Sequence, residues 1–131
     1  MALAITVLST LPHYACLLFT VPAGAWLYSA TVAASTTLSV AWHAAGEPGG
    51  PLFAADYAAA GMWTAVELWH GWQLSTWHFL IGAGLNAWAC AANWYTDWAV
   101  RRYGIPYKNL HSIWHGINVS KAVFMAGLLL G

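Results

Sequence analysis

Apolar residues run along this chain in long stretches, broken by short clusters of Gly, Pro and charged side chains. The stretches approach the ~20 residues that an α-helix needs to cross a bilayer. A first span is predicted over 2–19, closed by the tight reversal Val21-Pro22-Ala23-Gly24. The second covers 25–45 and ends in Gly46-Glu47-Pro48-Gly49-Gly50-Pro51, whose composition reads as loop. Pro51 suits the first turn of a third span, predicted over 51–69, with His70-Gly71-Trp72 as the turn after it. A fourth span covers 73–98, and Arg101-Arg102-Tyr103-Gly104-Ile105 forms the longest polar connection. Pro106 then opens a fifth span that ends near Leu130. The fold class expected is all-α: a polytopic transmembrane helix bundle of about five spans, a single domain over 1–131.

Alternate crossings give the bundle two sides. Trp26, Tyr28, Trp69, Trp72 and Trp77 fall near the side opposite Met1, and Trp94, Tyr95, Trp98, Tyr103 and Tyr107 near the Met1 side. Two such aromatic belts suit a spanning bundle. Arg101, Arg102 and Lys108 all lie on the Met1 side, so the positive-inside rule predicts a cytoplasmic N terminus. Met1 to Phe19 has a signal-peptide look, because Ala23-Gly24-Ala25 resembles a cleavage site. Without Lys or Arg at its start it reads instead as the first span. Ala83, Ala87 and Ala91 form a small-residue stripe expected at a helix contact, and Gly116 sits beside His115.

Composition sharpens the class. Of 131 residues, 60% are hydrophobic and 6% charged, against roughly a quarter charged in a soluble domain. Four basic residues balance four acidic ones, which argues against a nucleic-acid partner. Cys16 and Cys90 match no metal or redox spacing and are expected to be buried free thiols.

Against this background a few ionisable residues stand out, since such groups are expensive inside a bilayer and mark function there. Ser39 and His43 fall in the last turns of span two, Asp56 in the second turn of span three, and His111 and His115 in the second and third turns of span five. All five reach similar depth near the Met1 side. Residues at i and i+4 share a helix face, so His111 and His115 can bind one ion, and Ser39 sits one turn from His43. His43, His111 and His115 are therefore candidate zinc ligands, the ligand set of a catalytic zinc with an open position. Asp56 would hold or deprotonate the water there, and Ser39 would hydrogen-bond that water, Asp56 or a developing oxyanion. Asp56 has a second reading as a helix-dipole partner, and serine often back-bonds within membrane helices.

These residues resemble the CREST superfamily of membrane hydrolases and receptors, which includes alkaline ceramidases, progestin and adiponectin-type receptors and GPI-lipid remodelling proteins. Its pattern of S-x-x-x-H on one span, Asp on the next and H-x-x-x-H on the last reads here as Ser39-Val-Ala-Trp-His43, Ala55-Asp56-Tyr57 and His111-Ser-Ile-Trp-His115. The resemblance implies a Zn2+ site on the three histidines, Asp56 and Ser39 near its water, and hydrolysis of a lipid amide or ester. It covers spans two, three and five. The family has a seven-span core with four steps between the Asp and His-pair helices; here there are two, and both numbers are even, so the His pair starts on the Asp side.

Other features have blander readings. His13, His70 and His78 are expected to be packing residues. Glu67 and Lys121 are expected to form an ion pair on the order of 12–16 Å deeper than the histidine layer, as a structural clamp or a proton path. Asn118 is placed to line the space below the metal, and Trp114 to pack. The expected partner is a membrane lipid substrate, with a homo-oligomer or a larger membrane complex completing the cavity. The competing function is a non-catalytic accessory subunit that keeps a structural metal. A haem bundle is disfavoured, because an i, i+4 pair lies on one side of a ring whose axial ligands need opposite faces.

Overall fold

The structure is a computed structural model and describes residues 2–130; the expected placement of the N terminus turns on Met1, which lies outside them. Among the described residues the chain is all helix, without strands. Helix α1 (Ala2–Thr10) passes through a 3-10 stretch, Leu11–Cys16, into the short α2 (Leu17–Thr20). Then follow α3 (Trp26–Ala44), α4 (Pro51–Leu74), α5 (Thr76–Tyr103) and α6 (Tyr107–Leu130). Chain neighbours α3, α4, α5 and α6 pack in sequence, and α1 touches both α3 and α6, which closes a ring.

Local chemistry sets the boundaries. Pro12 lacks an amide hydrogen and its ring opposes the preceding turn, so the first span is not one α-helix but shifts to 3-10 geometry at Leu11. The turn expected at His70-Gly71-Trp72 is absent: α4 continues to Leu74, and Ser75 turns the chain and caps α5 by accepting from the amide of His78. Gly71 is a contact residue rather than a breaker, since a Cβ there would meet the His78 carbonyl at 3.1 Å. The far end of α5 also runs longer than expected, through both arginines to Tyr103, where Gly104 at φ 66 provides a left-handed stop.

The small-residue stripe is corrected too. Ala87 and Ala91 face outward, and α5 packs instead through Gly82, Asn86, Ala89 and Thr96. Tyr28 belongs to the interior, fully buried, rather than to an aromatic belt, and Cys90 is exposed where a buried thiol was expected. Cys16 is buried, in a core with Tyr28, Val32, Trp63, Val66, Met125 and Leu129.

Polarity is distributed inside out. Leu18 is 75% exposed and Trp77 74%, while His43 and Glu67 are wholly buried and Asp56, Asn86, His111, His115 and Lys121 nearly so. Among the described residues one helix, Tyr107–Leu130, is long and apolar enough to cross a membrane.

Candidate metal centre

Two helices carry three histidines to one point. His43 lies in the last turn of α3, while His111 and His115 share a face of α6 near its start. One nitrogen from each ring falls within 4.8 Å of the other two, and all three residues are buried. Ring centroids are 4.6 Å apart for His111 and His115, 5.0 Å for His43 and His115, and 5.2 Å for His43 and His111.

Hydrogen-bond accounting fixes which nitrogens face inward. Ser9 and Thr10 each spend their single hydroxyl hydrogen on the carbonyl of Thr6, so towards His115 Nδ1, 2.9 Å from both, they can only accept. His115 therefore carries its hydrogen on Nδ1 and a lone pair on Nε2. Likewise His43 Nδ1 donates to the Glu47 carboxylate at 2.9 Å, so the neutral imidazole has its lone pair on Nε2. The two Nε2 atoms lie 3.3 Å apart. Two buried lone pairs at that distance repel unless a cation, either a proton shared as an N–H···N hydrogen bond or a metal ion, stands between them. Nitrogens bound tetrahedrally to one zinc at about 2.0–2.1 Å are themselves about 3.3–3.4 Å apart. The third ring adds a buried nitrogen, His111 Nδ1, with no hydrogen-bond partner among the described residues. The donor set, the spacing and this unpaired nitrogen all fit a metal ion.

Next to the histidines lies a cavity of about 380 Å³, lined by Ser39, Asp56, His111 and His115 among others. Asp56, on the second turn of α4, is buried, and the Ser39 hydroxyl of α3 interacts with its carboxyl. No side chain caps the start of α4, which begins on Gly50 and Pro51. The structure brings together Ser39, His43, Asp56, His111 and His115, all five singled out from spacing.

Three supporting residues escaped that reading. Glu47 holds His43, and its i, i+4 distance from His43 was the available signal, masked by the Gly/Pro composition around it. Glu47 also sits at φ 59, a left-handed backbone that is uncommon outside Gly, Asn and Asp. Ser9 and Thr10 reach His115 from more than a hundred residues away in the chain, and no local pattern announces them. An outer partner of this kind fixes a ligand's tautomer and orientation.

The remaining histidines have protein partners. His13 contacts the Thr10 carbonyl and Asn118, His70 stacks on Tyr28, and His78 bonds Ser75. Trp114 packs with its indole nitrogen on the Ala89 carbonyl. Deeper in the bundle Lys121 Nζ meets Glu67 Oε2 at 2.9 Å, the ion pair expected. Tyr28 donates to Glu67 Oε1, while Asn86 donates to Glu67 Oε2 and accepts from Lys121. This cluster ties α3, α4, α5 and α6 together.

Comparison of the chain with protein-family models, with curated proteins and with solved structures found no match.

Proposed function

We propose that this chain is a polytopic membrane protein whose three-histidine site holds zinc and hydrolyses a lipid amide or ester. The observation that carries the proposal is the convergence of His43, His111 and His115 beside Ser39 and Asp56 at one cavity. Membrane residence draws on the inside-out polarity of the ring. Its helices also have the right size: α3, α4, α5 and α6, with 19, 24, 28 and 24 residues, measure roughly 28–42 Å at 1.5 Å per residue. The positive-inside rule then places Arg101 and Arg102, both exposed at the end of α5, in the cytoplasm.

Zinc held by these imidazoles would supply a water acidic enough to ionise near neutral pH and a Lewis acid for the carbonyl. The protein's own residues handle position and protons. Glu47, Ser9 and Thr10 hold His43 and His115 with their Nε2 atoms inward. Asp56 accepts a proton from the attacking water and returns it to the leaving nitrogen or oxygen as the acyl bond breaks. Ser39 orients the Asp56 carboxyl. Water adds to the acyl carbon, and the products are a fatty acid and an amine or alcohol. The apolar outer surface suits a substrate that arrives from the bilayer.

Purified protein loaded with zinc should release fatty acid from a panel of lipid amides and esters, and His111→Ala should not. A folded, zinc-loaded sample without turnover across the panel would leave the accessory-subunit reading, with the metal as a staple.

A further inference from the structure

The buried polar side-chain atoms that lack a partner among the described residues are Thr36 Oγ1, Trp63 Nε1, Asn93 Oδ1 and His111 Nδ1. All four residues line the same cavity. Thr36 is 2% exposed, His111 4% and Trp63 6%. Buried polar groups in proteins are nearly always paired; His111 Nδ1 belongs to the metal site and the Trp63 indole has the Tyr28 hydroxyl beside it, so Thr36 and Asn93 describe what else fills the space. Thr36 can donate and accept, Trp63 can only donate, and the Asn93 oxygen only accepts. Lys121 also borders the cavity, with two of its three donors used by Glu67 and Asn86. An acyl chain placed here would strand the Thr36 hydroxyl and the Asn93 oxygen.

Position adds to composition. Thr36 lies three residues deeper than Ser39, and Trp63 seven deeper than Asp56, so these groups extend roughly 5–10 Å into the bundle from the site. The cavity's polar wall is therefore continuous with the histidine centre. A second, open groove of about 560 Å³ runs outside, between α5 and α6, with Leu85, Trp88, Ile113, Ile117 and Phe124 on its walls. Lys121 borders both spaces.

We propose that the inner cavity binds the hydroxyl-bearing head of a lipid, and that its acyl chain lies in the outer α5–α6 groove. The lipid's identity as a substrate rests on the hydrolase reading; its binding needs no turnover. The shared chemistry is a hydroxyl close to an acyl linkage, found in glycerol esters and in sphingoid-base amides.

The test uses the zinc-loaded full chain in phosphatidylcholine nanodiscs, with binding read from tryptophan fluorescence and the thermal midpoint. Three probes share an eight-carbon acyl chain: octanoylglycerol, N-octanoylsphingosine, and methyl octanoate, which has no hydroxyl. At least one hydroxylated probe should bind about tenfold tighter than methyl octanoate, and which one leads identifies the source. Thr36→Val, which keeps the shape, should erase most of that advantage without changing zinc content or methyl octanoate binding. Asn93→Leu should do the same and serves if the first variant does not fold. Equal binding of all three probes, no binding of any (a cavity that holds only water), or an advantage that survives both variants overturns the proposal. Tight, hydroxyl-dependent binding without hydrolysis would refute the hydrolase reading alone.

Discussion

Two buried polar clusters occupy this bundle, built from overlapping helices, and they differ in how fully they are paired. The Glu67 cluster is nearly closed: each carboxylate oxygen accepts, Lys121 spends two of its three donors, and Asn86 uses both its oxygen and its nitrogen. The histidine cluster is open: two ring nitrogens face each other at 3.3 Å, and His111 Nδ1 has no partner among the described residues. A closed network fastens helices together, whereas an open one gains stability when something is added. Burial and charge alone do not separate the two; counting donors and acceptors does.

The largest effect expected lies in the closed cluster. Breaking the pair from one side, by Glu67→Ala or Lys121→Ala, should destabilise the fold by about 3–5 kcal/mol, because a buried charge is left alone. The combined Glu67→Gln, Lys121→Met variant should recover a good part of that loss. Thermal unfolding in detergent measures both, and equal damage from single and double variants would refute the clamp.

Zinc removal comes next. Chelation should lower the unfolding free energy of the wild type by up to about 4 kcal/mol, the shift given by a ligand at a thousand times its Kd. His115→Ala should be insensitive to the chelator. A wild type equally insensitive would make the two clusters alike.

Smaller effects sharpen the division of roles around the open cluster. Asp56→Asn should keep its zinc and lose fatty-acid release, whereas loss of the metal would make Asp56 a ligand. Glu47→Ala should weaken zinc binding by about 10–100-fold, the usual cost of losing an outer carboxylate on a ligating histidine. Competition against a zinc-sensitive dye reads that shift, and unchanged affinity would leave Glu47 as a loop residue only.

The site's inner residues were legible because each is an expensive group in an apolar stretch, and helical arithmetic put Ser39, His43, Asp56, His111 and His115 at one level. The same arithmetic anticipated the Glu67–Lys121 pair. What stayed hidden depends on contacts between distant segments. Ser9 and Thr10 look like ordinary helix residues until α1 packs on α6. Gly71 looks like a breaker, yet what it supplies is the missing Cβ that lets α4 approach α5. Tyr28 read as an interfacial aromatic from its place near a helix end, and only the position of Glu67 across the bundle explains its burial. Pro12 sits inside an apolar run where hydropathy gives no hint of a break, yet its missing amide hydrogen moves the first span out of α geometry.

The central claim is that the histidine cluster is open because a metal closes it. Elemental analysis of protein purified without chelator tests this directly, on wild type and His115→Ala side by side. The account predicts about one zinc per wild-type chain and next to none in the variant. Folded wild-type protein that holds no metal after purification from zinc-supplemented cells would contradict it.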